Sequence, residues 1–142
     1  MTICELLKNR KYPLLSFEFF PPRDDRGLEL LKQAAGQLLS TRPDFVTVTY
    51  GAGGSTRDRT LMVCDLLKDM GFKVVMPHLT CVNSTVEELN VAADRLYEKG
   101  YRNIMALRGD PPRGENVFRA VENGLAHASE LVALLKKRHS DF

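Results

Sequence analysis

Glu18 is a carboxylate inside an apolar run, Leu14 to Phe20, that is typical of a buried strand. Burial disfavours the charged form of a carboxylate, so a buried glutamate can retain a proton near neutral pH and donate it to a substrate. A structural acid that meets an arginine or backbone N–H groups would look the same in the sequence. An isolated residue of this kind is more often structural, so its interpretation depends on the motifs that accompany it.

His78 lies at the end of another apolar run, within Pro77-His78-Leu79-Thr80-Cys81. A lone histidine is more often a hydrogen-bonded core residue than a ligand. No second histidine or carboxylate stands near it at metal-ligand spacing, so we predict no metal site. Cys81 has no recognisable base partner, and we interpret it as a packing residue.

Arg108, Gly109 and Asp110 form a charged pair around a glycine at the end of the last apolar run. One interpretation is an exposed salt bridge, which would contribute little to stability. The other interpretation is a pair of charges that faces a ligand.

A glycine-rich segment, Gly51 to Thr56, separates Tyr50 from the next helical pattern. Its N–H groups could bind an anion at the start of that helix. The segment lacks the last glycine of the dinucleotide fingerprint, and no acid ends the next strand to bind a ribose. A tight turn with Ser55 or Thr56 as the N-cap explains the segment equally well.

The elements that position these residues repeat about every 30 residues. Each repeat has a short strand-like run followed by an amphipathic segment of helical length. The third helical segment begins with a capping-box pattern, Ser84 to Glu87, and stops at Gly100. The strand-like runs begin at Leu14, Phe45, Val74 and Asn103. Strands that alternate with helices in this way predict a parallel sheet.

Alternation along the strands assigns the polar residues to one face of the sheet. In an open sheet with helices on both sides, the two faces should be similarly apolar. A TIM-type barrel has helices only on its outside and carries its active site at the carboxyl ends of the strands. The polar face contains Ser16 and Glu18, Thr47 and Thr49, Met76 and His78, and Ala106 and Arg108. Separate structural explanations for these polar residues would have to hold at matching positions of four strands. We therefore predict that the residues form one functional rim at the carboxyl ends of the strands.

The fold class that follows is α/β, with four β/α units of a TIM-type (β/α)8 barrel. Residues 1–142 would form a single N-terminal half-barrel that stops where a fifth strand should start. Four units cannot close such a barrel, so the first and fourth strands would be open edges. We expect self-association or a separate C-terminal half to cover these edges.

The composition is that of a globular chain, with 44% hydrophobic and 27% charged residues and a net charge of +2. Lysine and arginine are spread among the acidic residues and not clustered, apart from Lys136 to His139 at the end of a predicted helix, so we expect neither a nucleic acid nor a membrane as partner. Three distant cysteines argue against a disulfide framework and for a reducing compartment. Since the first residues up to Pro13 have no apolar leader, we expect a cytoplasmic protein.

Four motifs, in this order along the chain, resemble those of methylenetetrahydrofolate reductase, a flavin enzyme of one-carbon metabolism and methionine biosynthesis. The motifs are Ser16 to Arg23, Phe45 to Ala52, Pro77 to Cys81 and Ala106 to Pro111. The similarity runs from about Leu14 to the C-terminus. It implies an eight-stranded barrel that holds FAD, is reduced by NADH or NADPH, and converts 5,10-methylenetetrahydrofolate to 5-methyltetrahydrofolate.

The resemblance also implies roles for individual residues. Glu18 would be the general acid that helps to open the five-membered ring of the folate, and Asp110 would favour hydride donation by the flavin. Thr49, together with these two acids, would contact the folate substrate. The residues that would line the cofactor site are Thr49, Tyr50, Ala52, His78, Arg108, Gly109, Asp110 and Ala128.

Two other interpretations remain open at this point. The family draws further cofactor and folate contacts from strands five to eight, which this sequence lacks. The chain could therefore be a non-catalytic half-barrel that needs a partner chain or a second copy. A nucleotide-binding domain that uses residues 51–56 is the other alternative, which the polar rim and the incomplete fingerprint disfavour.

Overall fold

The computed structural model describes residues 1–50, 57–111 and 114–142. Its helices are α1 (Ile3–Asn9), α2 (Asp25–Leu39), α3 (Arg57–Asp69), α4 (Val86–Glu98) and α5 (Ala128–Arg138). Its strands are β1 (Ser16–Phe19), β2 (Phe45–Val48), β3 (Val75–Thr80) and β4 (Met105–Leu107). The predicted α/β class is confirmed, because the neighbouring strands are parallel and alternate with helices. Each strand begins within two residues of its predicted start.

The chain divides into two compact units. Among the described residues, the first unit contains residues 1–50 and 57–77, and the second contains residues 78–111 and 114–142. The boundary falls within β3, which contributes three residues to each unit.

The first unit is built on β1, β2 and the beginning of β3. Phe17 lies opposite Val46 in the first strand pair, and Val46 lies opposite Val75 in the second. Val46 and Val48 are fully buried, while the ring of Phe19 packs edge-on against Phe72 with centroids 5.9 Å apart. The β-branched and aromatic residues suit a pleated surface that is covered by side chains. The helices complete this core with Ala35 of α2 and with Val63, Cys64 and Leu67 of α3.

The second unit is built on the end of β3 and on β4, where His78 lies opposite Met105 and Thr80 opposite Leu107. Hydrogen bonds continue past the strand ends, from Cys81 N to Leu107 O and from Val82 N to Arg108 O, both at 3.1 Å. The apolar stripes of the two helices form the core, with Leu89, Ala93 and Leu96 of α4 and Leu131 and Leu135 of α5.

The helix ends follow local sequence signals. The capping box of α4 pairs Thr85 with Glu88, one residue later than predicted, because the buried Ser84 hydroxyl instead donates to Val82 O at 3.1 Å. Gly100 has a φ of +82°, as expected for a glycine just after a helix. The sequence prediction did not include α1, although a second capping box, Thr2 with Glu5, marks its start. In the described ranges no helix is long and apolar enough to cross a bilayer.

Candidate functional site

Glu18 is the third residue of β1, and its side chain is exposed. The prediction that this acid is buried is wrong. Alternation along the strand explains the error, since Phe19 on the opposite face is only 6% exposed and Ser16 on the same face as Glu18 is exposed. The carboxylate is nevertheless oriented, because the buried Thr47 hydroxyl of β2 donates to Glu18 Oε2 at 3.3 Å.

Thr49 and Tyr50 follow β2 and are half-buried. The backbone of Thr49 is fixed on both sides: its N–H donates to Phe19 O at 3.0 Å, and its carbonyl accepts from the Thr60 hydroxyl at 3.0 Å. Thr60 lies on the buried side of α3 and was not among the predicted residues. Ala52 and the rest of the glycine-rich segment, residues 51–56, lie outside the described residues, as does the anion loop predicted there.

The segment after Glu18 is also anchored within the first unit. The Arg59 side chain of α3 donates to Pro22 O at 2.8 Å, and Asp24 caps α2 by accepting from Gly27 N at 2.7 Å. A Cβ at Gly27 would lie 2.8 Å from Pro22 Cβ, so only glycine fits there without a shift. The two prolines and Gly27 therefore fix the path of the chain from the candidate acid into α2.

His78 and Thr80 are both buried, at 6% and 5% exposure, in the part of β3 that belongs to the second unit. The Thr80 hydroxyl has no hydrogen-bond partner among the described residues. Buried polar groups without a partner are uncommon and call for an explanation. Cys81 next to them is 1% exposed, and burial raises the pKa of its thiol. Its Sγ–H donates to His127 O at 3.6 Å, in agreement with the packing role predicted for it.

Gly109 adopts a φ of +89° directly after β4. A Cβ at this position would lie 2.9 Å from the Cβ and Cγ1 of Val82 and 3.3 Å from the Cβ of Thr80. The turn that carries Arg108 and Asp110 is therefore pressed against the end of β3. The sequence analysis identified Gly109, but the reason that a glycine is needed there is its contact with Val82, which is distant in the sequence.

Arg108 and Asp110, on either side of this glycine, are exposed. Within the described part of the chain they form no ion pair with each other, so the salt-bridge interpretation is not supported. Arg108 Nε instead donates to Gly109 O at 3.2 Å, and its guanidinium carbon lies 4.9 Å from the ring centroid of Phe118. Sequence reasoning did not identify Phe118, which belongs to the long connection before α5.

Ala128 is the first residue of α5 and is half-buried. The turn before it is closed by Glu130, whose Oε2 accepts from the N–H groups of Ala126 and His127, both at 2.8 Å. The predicted rim draws residues from both units, and it stays a prediction.

A cavity of about 750 Å³ lies between α4 and α5 in the second unit. None of its lining residues belongs to the predicted site; they are Val86, Asn90, Asp94, Leu125, Leu134, Lys137, Arg138 and His139. Hydrogen bonds from Arg138 and His139 lower the pKa of Asp94 to about 2, so these three side chains of the cavity lining bind each other. Among the residues that the structure describes, no cluster of histidine, cysteine and carboxylate side chains could bind a metal ion.

These features define a class of α/β protein in which parallel β/α units carry polar and charged residues at the strand ends. A family model described as methylenetetrahydrofolate reductase matches residues 3–142. The chain therefore belongs to the methylenetetrahydrofolate reductase family. This confirms the resemblance seen in the four motifs, and the four β/α units agree with the TIM-type barrel of that family.

Similar proteins come from plants, bacteria and fungi. "Methylenetetrahydrofolate reductase (NADH) 1" of Zea mays is 39% identical over 127 residues, which is 89% of this chain and 21% of that protein. "5,10-methylenetetrahydrofolate reductase" of Escherichia coli K12 is 42% identical over 123 residues, 87% of this chain and 40% of that protein. "Methylenetetrahydrofolate reductase 2" of Saccharomyces cerevisiae is 32% identical over 99% of this chain and 24% of its own length. The chain thus spans between a fifth and two fifths of these relatives.

Proposed function

We propose that this chain supplies the proton-donating part of a cytoplasmic enzyme that reduces 5,10-methylenetetrahydrofolate to 5-methyltetrahydrofolate, using FAD and either NADH or NADPH. The observation that carries the proposal is the family match, which extends over residues 3–142. The names of the relatives specify the folate reaction, and those of the plant proteins also specify NADH.

The residues of the second unit fit a dinucleotide cofactor. Arg108 is an exposed cation that has no carboxylate partner in the described ranges, and FAD has phosphates that such a cation can bind. The buried Thr80 hydroxyl, which lacks a partner among the described residues, could hydrogen-bond to a polar group of the same ligand. The residues of this unit that would hold the cofactor are His78, Arg108, Gly109, Asp110 and Ala128. When bound, FAD would supply the hydride.

Glu18 would donate the proton that opens the five-membered ring of the folate. Its exposure leaves the carboxyl group accessible to a substrate. The hydrogen bond from Thr47 fixes one carboxyl oxygen, Oε2, and so orients the group toward its substrate. Thr49, which lies in the same unit as Glu18, would contact the folate, and the exposed Asp110 of the second unit would add a negative charge near the cofactor.

The test begins with a visible absorption spectrum of the purified chain after incubation with FAD. Bound FAD should remain after gel filtration, and NADH or NADPH should bleach it. Glu18→Gln should abolish folate reduction and spare NAD(P)H oxidation by an artificial electron acceptor. Glu98→Gln, which changes an exposed glutamate at the end of α4, is the matched control and should retain both reactions.

Three results would contradict the proposal. A chain that takes up no FAD cannot perform the reaction alone, and loss of both half-reactions in Glu18→Gln would assign Glu18 a structural role. Retention of folate reduction in Glu18→Gln would equally remove it as the proton donor.

A second candidate function is that of a non-catalytic module that associates with another chain. Exposed apolar side chains next to the strands favour it: Phe20 is 68% exposed, Leu15 42% and Leu107 36%. Light scattering after gel filtration should then show a concentration-dependent dimer, and Phe20→Ser should shift it toward the monomer. A colourless monomer would argue against both candidates.

A further inference from the structure

Phe118 contacts Arg108 from the segment of residues 114–127, which follows β4 and leads into α5. The guanidinium carbon of Arg108 lies 4.9 Å from the centroid of the Phe118 ring, within the range of a cation–π contact. Phe118 is half-buried, whereas its neighbour Val117 is 64% exposed. The ring is therefore directed at the arginine, and the residue beside it is directed at solvent.

The second half of this segment is fastened to the connection between β3 and α4. Asn123 O accepts from Val86 N at 2.8 Å, and Gly124 forms an antiparallel bridge with Thr85. A Cβ at Gly124 would lie 2.8 Å from Ser84 O, so the two backbones are in direct contact. These contacts fix the path of the chain a few residues after Phe118, so the ring is held against Arg108 by an anchored segment.

Arg108 is held from the other side as well. Its Nε donates to Gly109 O at 3.2 Å, and the position of Gly109 is set by its contact with Val82. A guanidinium has five N–H donors, of which this bond uses one. The Phe118 ring lies next to the central carbon of the guanidinium, and the N–H donors that the bond to Gly109 does not use can bind a phosphate, often in bidentate geometry. No carboxylate in the described part of the chain pairs with Arg108.

We propose that Phe118 is a positioning residue that holds the Arg108 guanidinium with its N–H edge toward a phosphate group of the ligand. The assignment of that phosphate to FAD depends on the proposed function, while the positioning itself depends only on the geometry of the second unit. Loss of an exposed cation–π contact should weaken phosphate binding about two- to fivefold.

The experiment uses the whole chain and follows the Arg108 Nε–H signal by NMR, with inorganic pyrophosphate as the probe. In the native chain the signal should show the ring-current shift of a nearby aromatic ring and should move on titration. Phe118→Leu, which retains apolar bulk without a ring, should lose the ring-current shift and weaken pyrophosphate binding. Phe118→Tyr should retain both properties, and Val117→Ala should behave as the native chain.

A double variant shows whether Phe118 acts through Arg108 or only through the structure of the segment of residues 114–127. Arg108→Gln should weaken pyrophosphate binding, and adding Phe118→Leu to it should have no further effect. An unchanged signal or affinity in Phe118→Leu would overturn the proposal, as would a native Arg108 signal that does not respond to pyrophosphate. A chain whose Arg108 responds but which takes up no FAD would support the positioning role and contradict the proposed function.

Discussion

Glu18 of β1 and Thr47 of β2 are direct register partners, and the Thr47 hydroxyl donates to the Glu18 carboxylate at 3.3 Å. Thr47 is 6% exposed, whereas Glu18 lies in solvent. The pair thus joins a hydroxyl buried in the core of the first unit to a carboxylate on its surface. An acid held in this way is oriented without the desolvation cost of a buried charge.

Glu18→Gln should leave the stability of the chain nearly unchanged, within about 0.5 kcal/mol, because exposed side chains contribute little. Urea denaturation followed by circular dichroism measures the effect. Val48→Ala, at a fully buried position of β2, is the sensitivity control and should cost about 2 kcal/mol. A loss above about 1 kcal/mol in Glu18→Gln would show that the acid is structural.

Gly109→Ala should destabilise the chain through two separate effects. A φ of +89° disfavours alanine by about 1–2 kcal/mol, and the new Cβ would lie 2.9 Å from Val82. Gly114→Ala provides the matched control, since Gly114 has a φ of +93° but no atom within 4 Å of the added Cβ. In urea denaturation, Gly109→Ala should therefore cost more than Gly114→Ala.

The difference between these two variants measures the contact with Val82. Adding Val82→Ala should reduce the extra cost of Gly109→Ala, because it removes Val82 Cγ1, one of the two atoms that would lie 2.9 Å from the new Cβ. Equal losses in the two glycine variants would show that the backbone conformation alone requires glycine at position 109.

Local patterns in the sequence were sufficient to predict much of the fold. The helix through Leu131 and Leu135, the glycine after α4 at Gly100 and the order of the strands follow from periodicity and turn chemistry. The capping box of Thr2 and Glu5 carries the same kind of signal for α1, which the sequence prediction nevertheless omitted.

Features that depend on distant neighbours could not be predicted in this way. An apolar run around Glu18 indicates a strand, but the exposure of the acid depends on what covers each face of that strand. The contact of Phe118 with Arg108 joins residues of the second unit through an irregular segment that has no periodicity. Both features arise from tertiary packing, which a single sequence does not encode in its local pattern.

Thr85→Ala should destabilise the chain by about 1 kcal/mol, because it removes the N-cap and one half of the capping box of α4. The loss should affect the whole unit, because α4 packs into the core through the buried side chains of Leu89, Ala93 and Leu96. Thr2→Ala removes an equivalent box from α1, which has no buried residues, and should leave the unfolding midpoint almost unchanged. Equal losses in the two variants, measured by urea denaturation, would contradict this distinction.

The ion pairs of Asp94 predict a loss of stability in acid. Hydrogen bonds from Arg138, and next from His139, lower the pKa of Asp94 from its ordinary 3.8 to about 2. Between these values the unfolded chain binds more protons than the folded chain, so stability falls as the pH decreases. The contribution should be fully present above about pH 4 and lost as the pH falls through about pH 2.

The test compares the urea midpoints of the native chain and of Asp94→Asn between about pH 5 and about pH 2. The comparison separates the contribution of the Asp94 carboxylate from that of the other acids. The native chain should be the more stable of the two at about pH 5, and the difference should shrink steadily toward about pH 2. Arg138→Gln should flatten the same pH dependence, because it removes the donor that lowers the pKa most. A difference between native chain and Asp94→Asn that does not change with pH would show that Asp94 acts through packing and not through its charge.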